Sequence, residues 1–449
     1  MPGRGIVASF GWRFWMLVAL IGVGAGLAGA AFMELLHAVE RFAWSYHGPV
    51  GEAATFLEAV ERTTDAQRVL VLVLGGLVAG VGALLLAGGA SSDVSEAIWL
   101  RKARLPFAKS LARGVESIVI VGLGASLGRE AAPQQAGASL ASLLSDWAKL
   151  PEWQRRLLVA CGAGAGMAAV YNVPLGGALF ALEVLLGTLT LPLVLPALAS
   201  AAIATAVAWI ALPTQPTYSV PTFTVSGALV VWAVILGPIA GAAAVAYTRL
   251  IVLAHSLRPS RRTTRFLAPV LVFTALGVVS IAYPQVLGNG KNVVQLVLSA
   301  QLSVALMATL VVLKPIATAA CLASGAPGGL FTPTLCFGVL LGGLLGKGWT
   351  ELWPGSPLGS YAIIGGAAVL GAAMQGPLAA VILMLELTHQ ADSLMVPILI
   401  AVVEATVVAR LLRAPSIYSA RLAPPPDEPP GTELESAPSD LLPAVWPSP

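Results

Sequence analysis

Charge is what this sequence has least of. Asp, Glu, Lys and Arg make up 10% of its 449 residues against 57% hydrophobic residues, and the mean hydropathy is +0.85. A soluble domain dresses its surface with far more charge, so water is not the chain's main solvent. Cysteine is scarce too. Cys161, Cys321 and Cys336 stand in apolar sequence without CxxC spacing, which speaks against a disulfide framework and against a thiolate metal site. The four histidines, His37, His47, His255 and His389, form no HxxxH pair. No metal and no cofactor are expected. Paired intramembrane aspartates and a large soluble loop are missing as well, which argues against a multi-pass membrane enzyme. The net charge of +3 says little, and no nucleic-acid partner is expected.

Apolar runs take the place of charge. Stretches of spanning length, roughly 18 residues or more, include Phe14–Phe32, Val69–Ala87, Leu189–Leu212, Leu229–Ala246, Leu302–Ala323 and Val396–Leu412. The last two carry Lys314, Glu404 and Arg410. Ten or eleven such stretches occur, several of them too short or too broken for a simple span. Phe14–Phe32 is longer than a signal-peptide core and has no clear cleavage site, so it reads as a mature helix. The chain's 47 glycines and 32 prolines are abundant inside these runs. Small residues let helices pack closely in lipid. They also break helices, and bare backbone at membrane depth survives only beside protein or a water-filled cavity. The interruptions therefore point to a lined pathway as well as to the general abundance of Gly and Pro in membrane helices.

Basic residues cluster at Arg101-Lys102-Arg104, Arg155-Arg156, Arg258-Arg261-Arg262-Arg265 and Arg410-Arg413-Arg421. By the positive-inside rule these loops face the cytoplasm, and Arg4 and Arg13 place the N-terminus there with the C-terminus. The expected location is the inner membrane of a cell, as a multi-pass protein in contact with lipid. The chain divides into a first membrane repeat over 1–212, an external linker over 213–225, a second repeat over 226–421, and a Pro-rich, disordered cytoplasmic tail over 422–449. The halves share a signature: Pro174-Leu175-Gly176-Gly177 leading to Glu183, and Pro377-Leu378-Ala379-Ala380 leading to Glu386, each Glu nine residues after its Pro. Upstream lies a Gly-rich break in each half, Gly128-Arg129-Glu130-Ala131-Ala132-Pro133 and Gly329-Leu330-Phe331-Thr332-Pro333. From the break's proline to the later one the chain covers 41 and 44 residues. With an odd number of spans in each half the repeats are inverted, and binding falls at the midplane where broken helices meet.

An arginine and a glutamate at membrane depth are costly, and by default functional. Arg129 and Glu130 read either as a mutually neutralising packing pair or as pathway groups. A helix that starts at a break presents free N–H groups and partial positive charge, which suits an anion. Helices beginning near Ala131 and Phe331 would aim two such ends inward, and a carboxylate at one of them would occupy the anion's place. Glu130 is thus a candidate gate for a small anion. A cation-coupled transporter would instead want acidic ligands beside unwound carbonyls.

Four ordered motifs carry a resemblance to a known family. Gly128-Arg129-Glu130 with Gln135 and Gly137 resembles the GREGPxVQxG motif of the CLC chloride channel and transporter family. Ser324-Gly325-Ala326-Pro327-Gly328-Gly329-Leu330-Phe331-Thr332-Pro333 resembles its SGAPGGxFxP motif, and Tyr171-Asn172-Val173-Pro174-Leu175 and Ser416-Ile417-Tyr418-Ser419-Ala420 are similar to two further landmarks. The resemblance implies an all-α membrane fold of two inverted repeats with tilted, broken helices, not an enzyme. It also implies a homodimer with one path per subunit for chloride or a similar small anion. It casts Glu130 as the external gating and proton-carrying glutamate, Leu330 and Phe331 as backbone donors to the anion, and Tyr418 as a hydroxyl donor, although a tyrosine there also reads as an interfacial belt residue.

Three departures from the family pattern bear on mechanism. Ser92 aligns with the anion-binding serine of a GSGIP motif, but Asp93 replaces a Gly and Ser95 the Pro, and the same residues read as an N-cap. Pro133 stands one position later than the family's Gly-Pro. Val184 occupies the place of the exchangers' internal proton glutamate. Valine takes no proton, so coupling is lost or the proton enters by water or another acid. Glu183 and Glu116 are candidates, with Glu183 alternatively a structural acid and Glu116 a partner of Arg113 at i,i+3. Glu130 favours proton-coupled exchange, and Val184 favours passive flow.

Overall fold

The computed structural model describes residues 10–44, 55–86, 93–223, 225–389, 392–420 and 422. Ser92 and the tail after residue 422 lie outside them. Within the described residues the chain forms seventeen α-helices, and its one β element is an isolated bridge. The first half runs α1 (Trp12–Trp44), α2 (Thr55–Arg62), α3 (Asp65–Leu85), α4 (Val94–Leu100), α5 (Phe107–Gly122), α6 (Ala131–Trp147), α7 (Glu152–Tyr171), α8 (Pro174–Leu179, continued by a π-helical turn Phe180–Leu186) and α9 (Leu191–Ala208). The second runs α10 (Gly227–Ser256), α11 (Arg262–Ala282), α12 (Lys291–Leu298), α13 (Val304–Ala323), α14 (Phe331–Leu352), α15 (Leu358–Met374), α16 (Pro377–Thr388) and α17 (Met395–Leu411). Apart from the short α2, each helix of the first half has a counterpart in the second, in the same order: α1 with α10, α3 with α11, and so on to α9 with α17. Seven helices (α1, α3, α9, α10, α11, α13 and α14) are long and apolar enough to cross a membrane, and the segment 174–186, α15 and α16 are shorter apolar pieces.

Burial follows the same duplication. α7 is buried from Leu157 to Tyr171 and α15 from Gly359 to Met374. Large apolar side chains such as Leu70, Leu271, Val312 and Val407 point outward instead, as lipid requires. Each enclosed helix crosses the helix before it through glycine. A Cβ on Gly162 of α7 would strike the Gly137 carbonyl of α6, and a Cβ on Gly365 of α15 would come within 2.7 Å of the Gly338 carbonyl of α14. Such close approach gives helices in lipid their packing energy.

The punctuation is duplicated as well. α5 and α13 stop ahead of Gly124 (φ +102°) and Gly325 (φ +92°), left-handed conformations that glycine adopts without strain. The chain then runs unwound until α6 and α14 begin. Pro133 and Pro333 sit in the first turns of those helices, where a missing N–H loses no intrahelical bond. α7 and α15 end on left-handed Asn172 and Gln375, and Pro174 and Pro377 open the next helices. The connection between halves is not a loose tether: the Tyr218 N–H donates to the Leu387 carbonyl at 2.9 Å, and Ser219 and Gln295 exchange two hydrogen bonds.

Candidate anion site

The two unwound segments meet. Gly128 N–H donates to the Gly329 carbonyl at 2.7 Å and Gly329 N–H returns the bond to Gly128 at 2.8 Å, a two-residue antiparallel bridge between the halves. It sets the start of α6 against the start of α14. Glu130 is the last residue before α6 and is only 1% exposed. Its carboxylate does not cap its own helix. It crosses to α14, where Oε1 accepts the Phe331 N–H at 2.7 Å and Oε2 accepts the Tyr171 hydroxyl at 3.0 Å, with the Thr332 hydroxyl at 3.4 Å. The Tyr171 and Thr332 hydroxyls also bond to each other. A side-chain anion therefore lies on the partially positive end of α14, held by one backbone donor and a hydroxyl pair. A Cβ on Gly128 or Gly329 would overlap that carboxylate, so both positions must lack a side chain.

Arg129 does not pair with Glu130. Its guanidinium lies over the Tyr171 ring, 5.1 Å from the ring centre. The neutralising-pair reading is thereby set aside. The Leu330 N–H forms no hydrogen bond among the described residues, so one amide donor beside the carboxylate is uncommitted. Leu330 and Glu130 line one cavity of about 230 Å³ together with Tyr418, Gln134, Lys109 and Arg113 of α5, and Arg258 of the loop between α10 and α11. Tyr418 packs edge-on against Phe180 at 5.3 Å. Its turn is tied down by the neighbouring Ile417 N–H, which donates to the Ala373 carbonyl at 2.8 Å.

Of the residues singled out in the sequence, Glu130, Leu330, Phe331 and Tyr418 thus converge. Asp93 lines the same cavity, and its carboxylate accepts the Glu96 N–H at 3.0 Å, the N-cap arrangement, so that oxygen is engaged at the start of α4. Glu116 stands apart: it is buried against Gly82 of α3 and accepts from Arg113 at 2.9 Å with i,i+3 spacing. The sequence motifs assign no role to Tyr171 or Thr332. The only signal for Tyr171 was its place in the Tyr-Asn-Val-Pro-Leu landmark.

Glu183 and Glu386 form a second constellation. Glu183, at the end of the first half-helix, accepts the Leu378 and Ala379 N–H groups of α16 at 3.2 and 2.6 Å. Glu386, near the end of α16, accepts the Leu175 and Gly176 N–H groups of α8 at 3.0 and 2.6 Å. Each repeat's acid caps the other repeat's half-helix. Hydrogen bonds from backbone to a charged acceptor contribute roughly 2 kcal/mol each. Glu183→Ala should therefore lower the unfolding temperature in detergent markedly, while protein that survives keeps the ion stoichiometry of the parent. An unchanged melting curve with altered proton flux would identify Glu183 as a relay instead.

Comparison with known proteins decides the family. A profile of the voltage gated chloride channel family matches residues 70–410. The chain belongs to this family. A ClcB-like chloride channel protein of Ralstonia nicotianae is 35% identical over 419 residues, covering 91% of this chain and 96% of its own. A voltage-gated ClC-type chloride channel, ClcB, of Salmonella typhimurium is 32% identical over 422 residues, covering 90% and 98%. Among solved CLC structures, a slow cyanobacterial Cl⁻/H⁺ antiporter superposes with a TM-score of 0.80 at 20% identity, and a CLC-type fluoride/proton antiporter with 0.72 at 23%. Each covers 91% of this chain and 97% of the other. These likenesses establish the CLC fold of two inverted repeats, and the CLC family's business is chloride transport across a membrane.

Proposed function

We propose that the chain exchanges chloride for protons and that Glu130 is the group over which the two ions compete. The carrying observation is the 2.7 Å bond from the Phe331 N–H to Glu130 Oε1: the carboxylate occupies the helix end that an anion would take. Ionised, it holds this seat. Protonated, it loses the charge that bound it there, so it can swing aside and leave the Phe331 and Leu330 amides to chloride. N–H dipoles hold an anion without the trap of a full positive charge.

The inner half of a proton path needs no acid at position 184. The cavity reaches from Lys109, Arg113 and Arg258, on the basic and hence cytoplasmic side, to Glu130 itself. Its volume of about 230 Å³ has room for several waters with polar partners. Water can then deliver protons directly to the Glu130 carboxylate. We keep the homodimer, with one such path per chain, as part of this reading. Val184 supports the second reading, passive chloride flow.

Purified protein in liposomes, with potassium clamped by an ionophore, should release chloride well above protein-free liposomes. No excess release would refute transport. Under an imposed chloride gradient the interior pH should move against its own gradient, and a flat pH trace would convert the assignment to passive flow.

A further inference from the structure

We infer that Lys314 is a positioning residue for the segment that carries Glu130, an inference that rests on reading Glu130 as the gate. Lys314 lies midway along α13, an apolar helix, and is 1% exposed. A lysine so placed is expensive. No carboxylate pairs with it among the described residues. Its ammonium donates instead to three successive carbonyls, Val286 at 2.8 Å, Leu287 at 3.2 Å and Gly288 at 2.7 Å. An ammonium has three donors and no acceptor, so the group is saturated by a single backbone turn.

That turn touches the gate's own strand of chain. Gly288, left-handed at φ +65°, donates its N–H to the Gly124 carbonyl at 3.0 Å. Gly124 is the corner at which the chain leaves α5, six residues before Glu130. One helical turn beyond Lys314, the Thr318 hydroxyl lies 3.4 Å from that of Ser126, inside the unwound segment. Residues four apart share a helix face. α13 therefore grips the segment twice: directly through Thr318, and through Lys314 by way of the turn at 286–288. The Gly128–Gly329 bridge lies between these grips and Glu130. A leucine at 314 would be buried there at less cost, but it would leave three carbonyls without the donor that fixes their turn.

Chloride efflux from liposomes, measured for Lys314→Met and Lys314→Arg with Glu130 intact and again on Glu130→Ala, separates positioning from general support. Groups acting through a common element give non-additive effects, so Lys314→Met should slow efflux about tenfold when Glu130 is present and less than about twofold when it is absent. Lys314→Arg should retain most of the parent rate. Equal slowing in both backgrounds would overturn the inference, because a general support or a long-range charge acts with or without Glu130. Should Lys314→Met not fold, Thr318→Val removes only the second grip and should show the same pattern in smaller measure. Hydrogen exchange tells failure of this inference from failure of the transport reading. Amides at 123–130 should exchange faster in Lys314→Met whether or not chloride moves, and unchanged protection there would overturn the positioning role even in an active transporter.

Discussion

Glu130→Ala is expected to stop proton movement altogether and to leave chloride moving. Among the described residues the Glu130 carboxylate is the acid that accepts an amide at the α14 end, and its oxygens take the Phe331 N–H and the Tyr171 hydroxyl. A positioned proton-transfer group contributes roughly a hundredfold or more to the step it serves, so removing it should bring proton flux down to that of protein-free liposomes. Chloride should behave differently, because its proposed donors, the Leu330 and Phe331 amides, are backbone groups that the substitution leaves in place. Glu130→Gln refines the test. The amide has nearly the same shape and can still accept the Phe331 N–H, but it neither titrates nor carries charge. Proton flux should vanish equally, whereas chloride should pass more slowly than through Glu130→Ala, since the glutamine still fills the seat. Both fluxes can be read from one liposome preparation with a chloride electrode and a pH electrode. Proton coupling that survives either variant would remove Glu130 from the mechanism.

Gly162→Val is expected to prevent folding. The close crossing of α6 and α7 brings backbone to backbone, and a Cβ at 162 would meet the Gly137 carbonyl and the start of the next peptide. No flexible side chain can turn aside there, so the helices must separate along their whole contact. Overpacking of this kind costs about 3 kcal/mol, and the loss of dispersion along two enclosed helices adds to it. The readout is the fraction of detergent-solubilised protein that elutes as a single monodisperse species, with Gly348→Ala, where a Cβ meets open space, as the control. A well-behaved Gly162→Val protein would show that α6 and α7 do not cross backbone to backbone.

The elements legible in the sequence were those marked by rare residues. Glu130 stood out because charge is rare in apolar sequence. The repeat was visible because Pro and Glu recur at matched spacing, and the helix starts at Ala131 and Phe331 because glycine precedes them. The pair Arg113–Glu116 and the Asp93 cap were legible because helix periodicity fixes neighbours three residues apart. Tyr171 was not: an aromatic residue in an apolar helix has the same signature whether it fills a core or binds a carboxylate. Nor was the exchange of caps between Glu183 and Glu386. Their spacing from Pro174 and Pro377 marked them as equivalent, but only the crossing of the half-helices brings each to the other's N–H groups. Lys314 registered as one charge within a span, and its partners lie 26 to 28 residues upstream in a turn with no motif of its own.

The bridge between Gly128 and Gly329 has a bearing on ancestry. The proposed anion seat is divided: one half of the chain supplies the carboxylate, and the other supplies the amide that donates to it. A single repeat contains neither a complete site nor the cap for its own half-helix. An ancestor with one repeat could assemble the site only from two copies lying opposite ways up in the same bilayer. Joining the halves in one chain fixes the two orientations at one to one, and of the two facing breaks Gly128–Pro133 carries a glutamate whereas Gly329–Pro333 does not.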